Sequence, residues 1–353
     1  MPAVLHPVDP RHPDPGVIGL AATMLRHGKL VAFPTETVYG LGANALDPDA
    51  VAAIYAAKGR PAWNPVIAHV PDVAAARALA RSWPASAARL AAAFWPGPLT
   101  LVVPKAAQVP DVATAGLDAV ALRVPDHPVA LALLRAAGVP VAAPSANRFT
   151  QISPTTARHV QASLGDRIDC ILDGGPCAVG IESTVVDCTG SDVVILRPGM
   201  ITADDLARAL HGTGIAVRIA VRTVSHGAGP EAGGPAPRSP GMADRHYAPQ
   251  GDVWLFDPTQ QDEVAAALQA RAATGAGTGA DTGTIRALLR TATLPLPAGS
   301  VVPMPDDPAA YARRLYAALH DADADGAVLI VIERPPDEPR WSGVRDRLSR
   351  ASR

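Results

Sequence analysis

The chain has 353 residues, 48% of them hydrophobic and only 4% aromatic, so its core must be built from small aliphatic side chains. Lysine and arginine number 31 against 33 aspartates and glutamates. That balance excludes a global attraction to nucleic acid or an anionic membrane, and any phosphate site must be local.

The N-terminus, MPAVLHPVDPRHPDPG, is proline-rich and polar, with no apolar signal core, and no stretch of the chain approaches a membrane span. A cytoplasmic protein is expected. Short apolar runs then alternate with amphipathic stretches. Strands are expected at residues 30–33, 66–70, 99–103, 120–123, 139–142, 168–172, 183–187 and 193–196, and helices at 17–27, 47–57, 85–94, 127–137, 155–164 and 203–210. Asp47 suits a helix N-cap, because its carboxylate can accept from free backbone N–H groups. The alternation indicates an α/β sheet domain. Cys170, Cys177 and Cys188 lack the paired short spacings of a disulfide framework or a cysteine-rich zinc site, and are expected to be reduced and buried. Residues 224–241 are too rich in glycine and proline to form a packed element. A second α/β unit follows, with strands at 253–256 and 328–332, helices at 263–273, 308–320 and 344–349, and a loop in GAGTGADTG at 275–283. The expected organisation is a domain at 1–210, a linker at 211–249 and a domain at 250–353.

Familiar nucleotide and hydrolase motifs are missing: there is no GxxxxGK[ST], no complete dinucleotide fingerprint, no GxSxG and no HExxH. Three clusters carry candidate chemistry. In 33–70, Thr35 and Thr37 follow an apolar run, and Lys58 and Arg60 follow a helical stretch. Alternate residues just past a helix can aim two cations at one anion, and a guanidinium can clamp phosphate oxygens. A helix end whose dipole favours cations explains the same pair. Asn64 and His69 flank the next strand, where a structural histidine is the commoner occupant. In 143–156, Ser145 and Asn147 stand at the carboxyl end of a strand, where open α/β sheets bind ligands, although turn chemistry favours the same residues. Ser153, before a proline, doubles as a candidate N-cap. In the third cluster Arg123 and Arg197 each follow an apolar run, and a buried cation needs an anionic partner, from substrate or from protein. Ser183 and Thr184 lie between them in GIESTVVD.

Taken together, K-G-R (Lys58, Arg60), S-A-N (Ser145, Asn147), PTETVYGLG, WPGPLT at 95–100, PSAN, ESTVVD and LRPG resemble the threonylcarbamoyl-AMP synthase family in order and spacing. SPGMADRHYAP at 239–249 resembles the linker of its longer, two-domain form, departing from it at Ala243 and Asp244. The resemblance covers essentially the whole chain. It implies an open twisted YrdC-like sheet domain with a large basic cavity, followed by a small Rossmann-like domain. It also implies a nucleotidyltransferase that converts L-threonine, bicarbonate or CO2, and ATP into threonylcarbamoyl-AMP and pyrophosphate, for threonylcarbamoyladenosine modification of tRNA.

Carried over by motif, Thr37, His69, Arg123, Ala143 and Ser183 fall to L-threonine, Ala143 through its backbone. Arg60, Asn64, Ser145, Ser153, Arg197 and Tyr247 fall to ATP, with Ala119 as a backbone contact. Lys58, Arg60, Ser145 and Asn147 form the catalytic signature. Mg2+ is expected with ATP, without an identifiable protein cage. Met242, Arg245, His246 and Tyr247 make the linker a candidate lid. The implied onward partner is the tRNA threonylcarbamoyl transferase complex, with at most a weak direct tRNA contact and no membrane partner. Two other readings share the first domain. One is a double-stranded RNA or ribosome-binding module, against which near-zero net charge weighs. The other is a carbamoyl-phosphate-using maturation factor, whose acylphosphatase and zinc-finger-like segments are not visible here.

Overall fold

A computed structural model describes residues 2–220, 246–278, 284–297 and 299–352. Among the described residues the first domain is one 11-stranded mixed sheet. In spatial order its strands are Val4–Pro7, Cys170–Asp173, Val31–Phe33, Gly40–Asn44, Val141–Ala142, Ile67–His69, Ala119–Arg123, Leu99–Pro104, Thr184–Asp187, Val193–Arg197 and Val217–Ile219. The main helices form where expected, Pro48–Lys58 and Pro128–Ala137 among them. Asp47 caps the first by accepting from the backbone N–H groups of Asp49 and Ala50, and a proline at the first helical position pre-sets its φ. All three cysteines are free and buried.

Three strands of this sheet depart from expectation. Val4–Pro7 lies in the proline-rich N-terminus, yet it pairs parallel with Cys170–Asp173 at the sheet edge, where a missing proline N–H is tolerated. Gly40–Asn44, where no strand was expected, is an interior strand antiparallel to both Val31–Phe33 and Val141–Ala142. Its two glycines have low strand preference, and two flanking partners override it. Val217–Ile219 pairs parallel with Val193–Arg197, so the sheet continues past the boundary expected at 210. Residues 221–245, which hold most of the expected linker, with Met242, Ala243, Asp244 and Arg245, lie outside the described residues.

The second domain is a parallel four-stranded sheet in the order Asp252–Phe256, Ala327–Glu333, Thr284–Leu289 and Val301–Pro303. The last two strands were not anticipated, because Thr284–Leu289 carries an arginine in mid-run and Val301–Pro303 is three residues long. The helix Gln261–Thr278 runs into the segment expected as a loop at 275–283, of which 279–283 lie outside the described residues. The helices Pro308–Ala324 and Ser342–Ala351 turn toward the first domain. A single apolar cluster joins Val38, Ile152 and Ile181 of the first domain to Tyr311, Leu315 and Trp341 of the second. At Gly180, φ is +87°, and a Cβ would stand 2.4 Å from the Arg313 Cα, so helix Pro308–Ala324 rests directly on this turn.

Candidate active site

Parallel pairing of Ile67–His69 with Ala119–Arg123 sets His69 opposite Arg123 at the carboxyl ends of both strands. An antiparallel bridge from Gly40 to Ser145 brings the PSAN turn to the same place. Between them lies a cavity. Its wall includes the assigned residues Thr37, Arg60, His69, Arg123, Ala143, Ser145, Ser183, Arg197 and Tyr247.

Gly59, in the left-handed conformation at φ 62°, ends the helix Pro48–Lys58 and separates the duties of its neighbours. The Lys58 ammonium does not face the cavity. It donates to the Ser145 carbonyl at 2.5 Å and to the Asn147 carbonyl, clamping the S-A-N turn from behind. Burial pushes its pKa well below the usual lysine value. Arg60 does line the cavity, steadied by Asn64 Oδ1 at 2.7 Å and the Pro65 carbonyl at 2.8 Å. Burial lowers its pKa to about 10, which leaves it charged at neutral pH.

Arg123 is buried beside Glu36, with Nη2 2.7 Å from Oε1, and Nε donates to the Gly97 carbonyl at 3.3 Å. Its protein anion is therefore already present. Arg197 donates through Nη2 to the Ser183 carbonyl at 3.0 Å and to the Ser183 hydroxyl at 3.2 Å. Burial and the Arg123 charge hold His69 down to about 3, so its ring is neutral at physiological pH. Among the described residues His69 Nδ1, His246 Nδ1 and the Tyr247 hydroxyl are buried without a hydrogen-bond partner, and all three residues line the cavity. Unpaired buried polar atoms are costly, and a polar ligand satisfies them.

Five assigned residues stand back from the wall. Lys58 and Asn64 support the turn and Arg60 as described. Asn147 donates through Nδ2 to the Arg148 and Gln151 carbonyls, fixing its own loop. Ala119 packs against the apolar group of Ile67, Val102, Ala121 and Val185. Ser153 caps no helix, since Thr156 caps Ala157–Leu164. Its hydroxyl donates to Glu182 Oε1 at 2.5 Å. Glu182 lines the cavity and was not singled out, although ESTVVD was. The available signal was a carboxylate just before the strand Thr184–Asp187, beside two hydroxyls. Burial raises its pKa, but the charges of Arg347 and Arg197 outweigh that and bring it down to about 2. Thr35 and His246 also reach the wall without an assigned substrate role.

Residues 201–353 match the family model described as "Threonylcarbamoyl-AMP synthase, C-terminal domain", and residues 23–199 match the Sua5, YciO and YrdC model described as "Telomere recombination". The chain belongs to the threonylcarbamoyl-AMP synthase family. A threonylcarbamoyl-AMP synthase of Pyrococcus abyssi is 40% identical over 335 residues, covering 95% of this chain and 94% of that protein. One from Bacillus subtilis is 38% identical over 336 residues, covering 95% and 92%. The crystal structure of Pyrococcus abyssi Sua5 complexed with L-threonine superposes with a TM-score of 0.85 at 38% identity, covering 99% of this chain and 98% of that one. The chain is thus an ATP-using adenylyl-transferring enzyme of this family, with its α/β sheet domain and parallel second domain. Among the described residues no helix is long and apolar enough to cross a membrane.

Proposed function

We propose that the cavity binds L-threonine and ATP side by side and makes threonylcarbamoyl-AMP, the activated donor for threonylcarbamoyladenosine in tRNA. The threonine amine adds to CO2, or to bicarbonate with loss of water, giving a carbamate. A carbamate oxygen attacks the α-phosphorus in line, the bond to the β-phosphate bridge breaks, and pyrophosphate leaves. The nucleophile belongs to the substrate, so the protein positions reactants and stabilises phosphoryl charge.

Arg123, His69, Thr37 and Ser183, with the Ala143 backbone, take threonine. Arg123 offers a rigid fork to its carboxylate, and neutral His69 offers Nδ1 without adding charge. Arg60, Arg197 and Ser145 take the phosphates, and Tyr247 faces the nucleotide. Lys58, Asn64 and Asn147 serve the nucleotide by holding Arg60 and the turn that carries Ser145, and Ser153 belongs to the nucleotide side beside Glu182. Mg2+ enters with ATP as part of the substrate: among the described residues no cluster of three or more acidic, histidine or cysteine side chains is placed to hold a metal, and Glu182 is engaged by protein donors. The product passes from the cytoplasmic enzyme to the tRNA-modifying transferase. The observation that carries this reading is the convergence of three guanidiniums, Arg60, Arg123 and Arg197, on one cavity that also holds unpartnered polar atoms. Incubation with ATP, L-threonine and labelled bicarbonate tests it. Label in an adenylate is expected, and label found only in free carbamate would contradict it.

A further inference from the structure

A buried ion pair joins the second domain to Glu182 on the cavity wall. Arg347, on the helix Ser342–Ala351, is fully enclosed. Its Nε donates to Glu182 Oε2 at 2.6 Å, its Nη2 to the Glu182 carbonyl at 3.2 Å, and its Nη1 to the Pro198 carbonyl at 2.9 Å. Tyr316, on the helix Pro308–Ala324, donates to the same Oε2 at 3.0 Å. The remaining oxygen, Oε1, takes the Ser153 hydroxyl. The next residue, Ser183, is the one on which Arg197 rests. The Arg347 guanidinium also lies over the Tyr247 ring, 5.2 Å from its centroid.

A carboxylate on the wall of a polyphosphate site repels the ligand unless a fixed cation compensates it. Removing one partner of a buried pair leaves that charge exposed to its neighbours at full strength. We propose that Arg347 and Tyr316 are positioning residues of the nucleotide site, which neutralise and orient Glu182 so that it fixes the Ser153 hydroxyl. The second domain thereby completes ATP binding from behind the cavity. The inference rests on the assignment of Ser153 and Arg197 to ATP. A simple staple between domains would need the ion pair alone. Here the carboxylate also holds Ser153, and the cation also packs on Tyr247.

The test is steady-state kinetics on the full chain, well below the melting temperature of each variant. Arg347→Met is expected to raise the ATP KM about tenfold or more while the threonine KM stays within about twofold. Arg347→Lys, which keeps the charge without the fork, recovers part of the loss. Glu182→Gln combined with Arg347→Met recovers ATP affinity because the wall carboxylate is gone, while Asp346, which also pairs with Arg347, keeps Arg350. Tyr316→Phe removes one hydroxyl without disturbing the ring, and shifts the ATP KM in the same direction if Arg347→Met fails to fold. Arg313→Ala is the control. It cuts a different contact between the domains, Arg313 Nε to the Ala178 carbonyl at 2.8 Å, and should lower stability without moving the ATP KM. An Arg347→Met protein with unchanged ATP KM, or with both KM values raised equally, overturns the inference. So does an unchanged ATP KM in Tyr316→Phe when Arg347→Met does not fold. Ser153→Ala and Arg60→Ala separate this failure from failure of the site. If they too leave the ATP KM unchanged, the nucleotide assignment itself is wrong.

Discussion

Lys58 and Arg60 are two residues apart and both basic, yet one clamps a turn and the other faces the cavity. Their spacing was legible in the sequence. Their division of labour was not, because it depends on the left-handed turn at Gly59 and on carbonyls contributed by residues 145 and 147. Arg60→Ala should weaken ATP binding by about 1.5–3 kcal/mol, the worth of a charge-assisted contact. Lys29→Ala should not, since Lys29 is 60% exposed and 3.7 Å from Asp169. Calorimetric ATP titrations of the two variants compare them directly. Arg123→Lys keeps the charge but loses the contact with the Gly97 carbonyl and the planar geometry beside Glu36, so threonine affinity should fall while ATP affinity holds. Threonine titration of this variant reads the effect, and unchanged affinity would make Arg123 purely structural. Glu36 and Glu182 escaped the sequence reading for one reason. A buried carboxylate declares itself only when its cation is known, and both cations lie far away in the chain.

At the scale of elements, apolar runs such as Leu99–Pro104 and Val193–Arg197 announced their strands, because hydrophobic period and β-branched content agree there. Gly40–Asn44 did not, because its conformation is imposed by neighbours brought from residues 31 and 141. The turn at Gly180 follows the same logic at the domain boundary. Gly180→Ala forces a Cβ into the backbone of Arg313 and strains a positive φ, so the helix Pro308–Ala324 must shift. A stability loss of about 2 kcal/mol or more is expected in urea denaturation. A variant as stable as the parent would show that the helix does not rest on this turn.

For the whole molecule, the sequence separated two α/β units but not the surface that joins them, because Ile181, Tyr316 and Trp341 are ordinary core residues until the fold packs them together. His159 and His320 stack across the two domains, with centroids 3.8 Å apart, and His320 Nε2 sits 3.1 Å from the Ser153 carbonyl. Burial holds both down to about 4; for His320 the charge of His159 adds to this, while the Ser153 carbonyl and then Asp321 act in the opposite direction. An unfolded histidine titrates near 6.5. Between that pH and about 4 the unfolded chain binds protons that the folded chain excludes, so stability is complete above the upper limit and falls as pH drops through the window. His320→Gln should lose less stability than the parent between pH 7 and pH 4.5, measured by urea midpoints. Equal losses would place the acid sensitivity elsewhere. The central claim is that one cavity couples threonine carboxylation to attack on ATP. Pyrophosphate release by the purified full chain tests it most directly. Release should require L-threonine and bicarbonate together, and fall to background when either is omitted or when L-serine replaces L-threonine. Equal release without an amino acid, or equal release with L-serine, would contradict it.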